Sequence, residues 1–276
     1  MRLSGCGLAL CNDRFFVDNI AHRAKEKGLR IIWSSEMMWH HEGECEALRE
    51  GIIDYVLYVS SIQQRALSPK YRGIPGSIVG NYIDPLLFPF AIRSTSDPLV
   101  IGRLSRAVPE KYPEDFPVFY ESLQIPNARF RVMAWNDALR RKYRWHSFGR
   151  QWDLLTECQE TQNNFLRSLD LFIYPLGHTF TESWGRSTAE AMLTGCVPLV
   201  PQGHNFTELI EHGVSGYICA DFLQWQDYAL ALASDQHLRK SMSLGARTRA
   251  MQIAADRRLH LRQWVDVFQQ VYDSPC

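Results

Sequence analysis

The segment TESWGRSTAEAMLTGCVPLV (181–200) concentrates the residues of this sequence that could do chemistry. Glu182 falls in a loop that follows an apolar run, and Glu190 falls about a turn and a half into the helical pattern that comes next. That spacing turns both carboxylates toward one crevice, where they could accept hydrogen bonds from vicinal hydroxyls. The helix start aims unpaired backbone N–H groups and a partial positive charge at the same space, which suits a phosphate. Ser183, Gly185 and Ser187 are small enough for a ligand to approach the backbone closely. On spacing alone, the competing reading is two glutamates that cap or solvate a helix start.

The elements around this segment alternate. From Pro98 onward, short apolar runs separated by helical patterns predict βαβ units and a parallel sheet. Expected strands are 98–105, 128–135, 144–149, 170–176, 196–201 and 215–220, and expected helices are 159–169, 184–195 and 206–213. Such a sheet binds its ligand outside the carboxyl ends of its strands. Residues 1–92 repeat the theme with about three strands (29–35, 54–60 and 76–83) and helices at 14–28 and 42–51. The stretch 84–98 lacks periodicity and reads as a linker. After Asp235 the pattern is helical to the end, and LRQWVDVFQQVY (261–272) has an apolar face that must pack on something.

Composition narrows the function classes. Thirty basic and thirty acidic side chains cancel in the 276 residues, so no overall field favours nucleic acid, and any anion site must be local. The run Arg140, Arg141, Lys142 and Arg144 could make a peripheral contact with an anionic membrane or phosphate, against the plainer reading of a solvated helix face. The seven cysteines are widely spaced with no C-x-x-C pair, which fits reduced thiols in a cytoplasmic setting. Gly5-Cys6-Gly7 does not continue as G-x-G-x-x-G, and there is no P-loop, H-E-x-x-H, D-x-D, G-x-S-x-G or Tyr-x-x-x-Lys pattern.

The run E-S-W-G-x4-E-A-M-x2-G-C-V-P-L-V resembles the E-x7-E segment of the family 4 (group 1) retaining glycosyltransferases. The resemblance extends to GHNFTELIEHGVSGYICAD (203–221), LVIGRLSRAVPEKYPE (99–114), YVLYVSS (55–61) and SIVGNYIDPLLF (77–88), and so runs from about Leu29 to the C-terminus. It implies an α/β, GT-B-like fold of two Rossmann-like domains. Residues 1–92 would form an incomplete acceptor-side domain, 93–260 the domain that binds the donor nucleotide, and 261–276 a helix that packs back on the first domain. It also implies a metal-independent transfer, without a cofactor, from a nucleoside diphosphate sugar to an unidentified acceptor hydroxyl, with retention of configuration.

Carried over by position, the catalytic set would be Glu182, which would hold a sugar hydroxyl, together with Arg103 and Lys111 on the donor diphosphate. Glu190 would hold the ribose hydroxyls, and Ser183, Trp184, Gly185 and Arg186 would line the nucleotide site. Departures from the family pattern are Tyr82 in place of glycine, Trp184 in place of phenylalanine and Arg186 at a position that is usually apolar. A longer loop at 175–182 brings His178 toward the sugar. Glu36, His40 and His41 compete for the position of a family histidine after the strand 29–35. The rival reading is a non-catalytic or truncated sugar-nucleotide-binding subunit that needs a partner, because the N-terminal half is short for a complete acceptor domain. A sheet of about three strands would also leave an open edge through which chains self-associate.

Overall fold

The computed structural model describes residues 5–93 and 98–273. The chain divides into two compact units. Unit 1 comprises residues 1–82, 182–184 and 256–276, and unit 2 comprises 83–181 and 185–255. Residues 94–97 of the expected linker lie outside the described residues. Among the described residues, no helix is long and apolar enough to cross a membrane.

Unit 1 is a parallel sheet in the order β1-β2-β3-β4, made of β1 (Cys6–Leu10), β2 (Arg30–Ser34), β3 (Tyr55–Tyr58) and β4 (Gly76–Ile78). Side chains alternate across a strand and both faces of this sheet are covered, which explains the apolar centre of β2 (Ile31, Ile32, Trp33) and of β3. Ile31, Trp33, Val56 and Tyr58 pack with Phe16, Ala21 and Ala47. Ile32, Tyr55 and Leu57 face the other way and pack with Val79 and with Val267 and Val271 of the C-terminal helix, Arg257–Asp273. Helices α1 (Arg14–Val17), α2 (Ile20–Glu26), α3 (Glu44–Arg49) and α4 (Ser61–Leu67) complete the unit. The Ser60 hydroxyl caps α4 by accepting the Gln63 N–H at 3.1 Å.

Two expectations are corrected here. The sheet has four strands rather than three, because CGLAL pairs in parallel with β2 from Cys6↔Arg30 to Leu10↔Ser34. It has no β-branched or aromatic residue and so gives little β signal, and pairing with the buried strand β2 supplies what propensity does not. The helix expected over 14–28 is two, separated at Asn19, whose φ of 56° breaks the helical path.

Unit 2 holds a six-stranded parallel sheet in the order β10-β9-β8-β5-β6-β7. The strands are β5 (Val100–Leu104), β6 (Arg129–Met133), β7 (Trp152–Leu155), β8 (Leu171–Ile173), β9 (Val197–Pro201) and β10 (Tyr217–Cys219). Helices α5 (Phe116–Ser122), α6 (Asp137–Lys142), α7 (Gln162–Arg167), α8 (Arg186–Thr194), α9 (Phe206–Leu209), α10 (Phe222–Ser234) and α11 (Gln236–Ile253) connect them; the C-terminal helix of unit 1 is α12. The strand order reverses between β5 and β8, which makes their carboxyl ends the topological switch point. The strand expected over 144–149 is corrected to β7. Residues 143–151 make turns instead, with the His146 N–H on the Tyr143 carbonyl and the N–H of Trp152, where β7 begins, on that of Gly149. Tyr143 and Phe148 there pack into the aromatic core instead of alternating across a sheet.

Candidate active site

The switch point of unit 2 is built around Arg103, the penultimate residue of β5, which is fully buried. Its guanidinium donates to the carbonyl of Pro175, just beyond β8, to the carbonyl of Lys111 at 2.8 Å and to the Ser105 hydroxyl at 3.4 Å. It also lies 3.8 Å from the centre of the Tyr112 ring and 4.4 Å from that of Tyr174. Carbonyl dipoles and ring faces therefore compensate its charge, and among the described residues it has no carboxylate partner. The arginine joins two loops at the strand ends: 105–112, which ends in a 3₁₀ turn (Pro109–Lys111), and 175–181.

Lys111 is buried beside it, with Nζ 3.5 Å from the Tyr174 hydroxyl and 4.6 Å from the centre of the Phe180 ring. Gly177 lets the two loops touch, because a Cβ there would overlap the carbonyl oxygen of Glu110. Gly177→Ala must therefore push the loops apart and should destabilise the protein by about 1–3 kcal/mol. A urea unfolding curve that shows no shift in midpoint would contradict this packing.

The aromatic layer continues to the glutamate helix. Tyr174 meets Phe206 edge-on at 6.1 Å, and Phe206 lies against Gly185, the residue before α8. Gly185 has a φ of 91°, and a Cβ would sit 2.9 Å from the Phe206 ring, so the chain needs glycine to start α8 here. Glu190 on α8 is 3% exposed, and its Oε1 accepts a hydrogen bond from Arg186 Nε at 2.9 Å. Burial raises the Glu190 carboxyl above the ordinary value, an effect that the Arg186 charge and hydrogen bond partly offset. Arg186 itself leaves 55% of its side chain in solvent.

The structure thus brings Arg103, Lys111, Gly185, Arg186 and Glu190 into unit 2, while Glu182, Ser183 and Trp184 pack with unit 1. Ser183 donates its hydroxyl to the carbonyl of Glu36 at 2.8 Å, and Trp184 is buried with its indole nitrogen beside Gly80. His178 is exposed on the loop 175–181. His40 is nearly buried against Glu44, and His41 turns its Nε2 to the Ser35 carbonyl. Among the described residues, no group of three or more His, Cys, Asp or Glu could hold a metal ion. Sequence reasoning missed Tyr112, Tyr174 and Phe180. Tyr174 directly follows the apolar run 171–173 and reads equally well as core, while Tyr112 follows the polar residues Glu110 and Lys111 and gives no such signal.

Two parallel α/β units, one with its polar cluster at the switch point, are the architecture of the GT-B glycosyltransferases. The chain belongs to the glycosyl transferases group 1 family, whose model matches residues 88–249. Solved structures agree on the fold. HepE of Anabaena, solved in complex with UDP-glucose, superposes with a TM-score of 0.75 at 16% identity over 95% of this chain and 78% of HepE. Sucrose-phosphate synthase of Thermosynechococcus elongatus gives 0.73 at 12% identity, covering 92% of this chain and 71% of that one. A glycosyltransferase of Rickettsia africae ESF-5 gives 0.73 at 11% identity, covering 95% and 82%. A comparison with curated protein sequences gave no match.

Proposed function

We propose that this chain transfers a glycosyl unit from a nucleoside diphosphate sugar to an acceptor hydroxyl with retention of anomeric configuration. The observation that carries the donor half of this reading is Arg103, a buried cation with no carboxylate partner among the described residues, next to buried Lys111 at the switch point of unit 2. A buried charge is costly unless something of opposite sign or strong polarity meets it. Carbonyls and rings offset the cost of burying the arginine, but as neutral groups they leave its net positive charge at the strand ends. A departing diphosphate gains negative charge as the glycosyl bond breaks, and cations fixed in advance stabilise that change without reorganising.

Arg103 fixes the loops that carry Lys111 and contributes its field, Lys111 meets the diphosphate, and the start of α8 offers backbone N–H groups to it. Glu190 accepts the ribose hydroxyls. Glu182, outside unit 2, holds a hydroxyl of the transferred sugar. UDP is the natural first probe, because HepE was solved with UDP and UDP-glucose.

The test is calorimetric titration of UDP, GDP and ADP and their nucleosides into the wild type and Lys111→Ala. Loss of one charge-assisted contact is worth about 1.5–3 kcal/mol, so the variant should bind its preferred diphosphate about tenfold or more weakly and the nucleoside nearly unchanged. Equal losses for diphosphate and nucleoside would remove Lys111 from the phosphate site.

A further inference from the structure

The loop between β2 and α3, residues 35–43, is held on both sides of Trp39 although it has no regular structure. Ser35 Oγ donates to the carbonyls of Met37 at 3.5 Å and Trp39 at 3.3 Å, and Gln63 Nε2 donates to that of Met37 at 2.7 Å. Glu44, fully buried, accepts the His41 N–H at 2.7 Å, lies 2.9 Å from His40 Nδ1 and accepts the Tyr71 hydroxyl. Ser183 Oγ meets the Glu36 carbonyl at 2.8 Å, which ties the loop to the residue next to Glu182. In the midst of these restraints the indole of Trp39 is 50% exposed.

A loop with a pinned backbone that leaves its largest apolar side chain in water is arranged for a ligand, because an indole on a held backbone has only two torsions to order when something stacks on it. The C–H face of a pyranose is apolar while its rim carries hydroxyls that stay in water, so it suits a half-exposed indole face. We propose that loop 35–43 is an acceptor subsite in which Trp39 is the platform for a sugar ring, making the acceptor a carbohydrate. This rests on the glycosyl-transfer reading above.

Saturation-transfer NMR with the full chain tests it. The probes are UDP, the methyl glycosides of glucose, galactose, mannose and N-acetylglucosamine, and glycerol 3-phosphate as a hydroxyl compound without a pyranose. At least one glycoside should receive saturation at its ring C–H protons from the wild type and from Trp39→Phe, and about fivefold less from Trp39→Ala, with UDP signals alike in all three. Equal glycoside signals in Trp39→Ala, saturation of glycerol 3-phosphate alone, or saturation of UDP with no glycoside would each overturn the platform. Absence of UDP saturation in the wild type would fault the donor reading itself, and this inference with it.

Discussion

Arg103→Met is expected to lower the unfolding free energy by about 2–5 kcal/mol, the largest stability effect of any single change at the site. The variant keeps the volume roughly but removes the donors for the Lys111 and Pro175 carbonyls. Each buried carbonyl left without its partner costs about 1–3 kcal/mol, and the contacts with the Tyr112 and Tyr174 rings go as well. Arg103→Lys should recover little, since an ammonium lacks the planar fork that bridges two loops. Urea unfolding measures the difference. A loss below about 1 kcal/mol for Arg103→Met would mean that the loops hold together without the clamp. Because the clamp sets the position of Lys111, both variants should also bind a nucleoside diphosphate more weakly, and Lys111→Ala should reproduce that loss without the loss of stability.

The second large effect concerns binding. Glu190→Gln should weaken the preferred nucleoside diphosphate and its nucleoside alike, by about 10–100-fold, because the carboxylate acts on the ribose, which both ligands share. That pattern separates it from Lys111, whose loss falls on the diphosphate. A pH series sharpens the distinction. Burial raises the Glu190 carboxyl, with Arg186 partly opposing, so the ionised acceptor is lost at a higher pH than for an ordinary carboxylate. Wild-type affinity should therefore fall on acidification before exposed carboxylates titrate, and Glu190→Gln, whose amide does not titrate, should show no such step. Affinity that is unchanged in Glu190→Gln would remove the residue from the site.

Much of the frame was readable from the sequence because parallel strands buried on both faces are written as unbroken apolar runs, as in LFI (171–173) and CVPLVP (196–201). The same rule failed at 144–149, where aromatic residues pack from turns, and at Cys6–Leu10, where an edge strand without β-branched or aromatic residues carries a weak signal. The helix that carries Glu190 was legible because the glycines at 185 and 195 bound a local pattern. The clamp was not, because Arg103 meets Pro175 across 72 residues and periodicity reports nothing at that range. Likewise, the link from Ser183 to Glu36 spans 147 residues. It sets Glu182 among the residues of unit 1, although in sequence it stands directly before α8 of unit 2.

The most direct test of the proposed activity follows a sugar donor by proton NMR in the presence of the chain and an acceptor glycoside. The donors are the glucose conjugates of UDP, GDP and ADP, which all carry an α-linked sugar. One of them should be consumed with release of its nucleoside diphosphate, and the new glycoside should appear with an α anomeric proton. A β product would contradict retention. Binding of a nucleoside diphosphate with no turnover of any donor would contradict the enzyme and leave a sugar-nucleotide-binding module in its place.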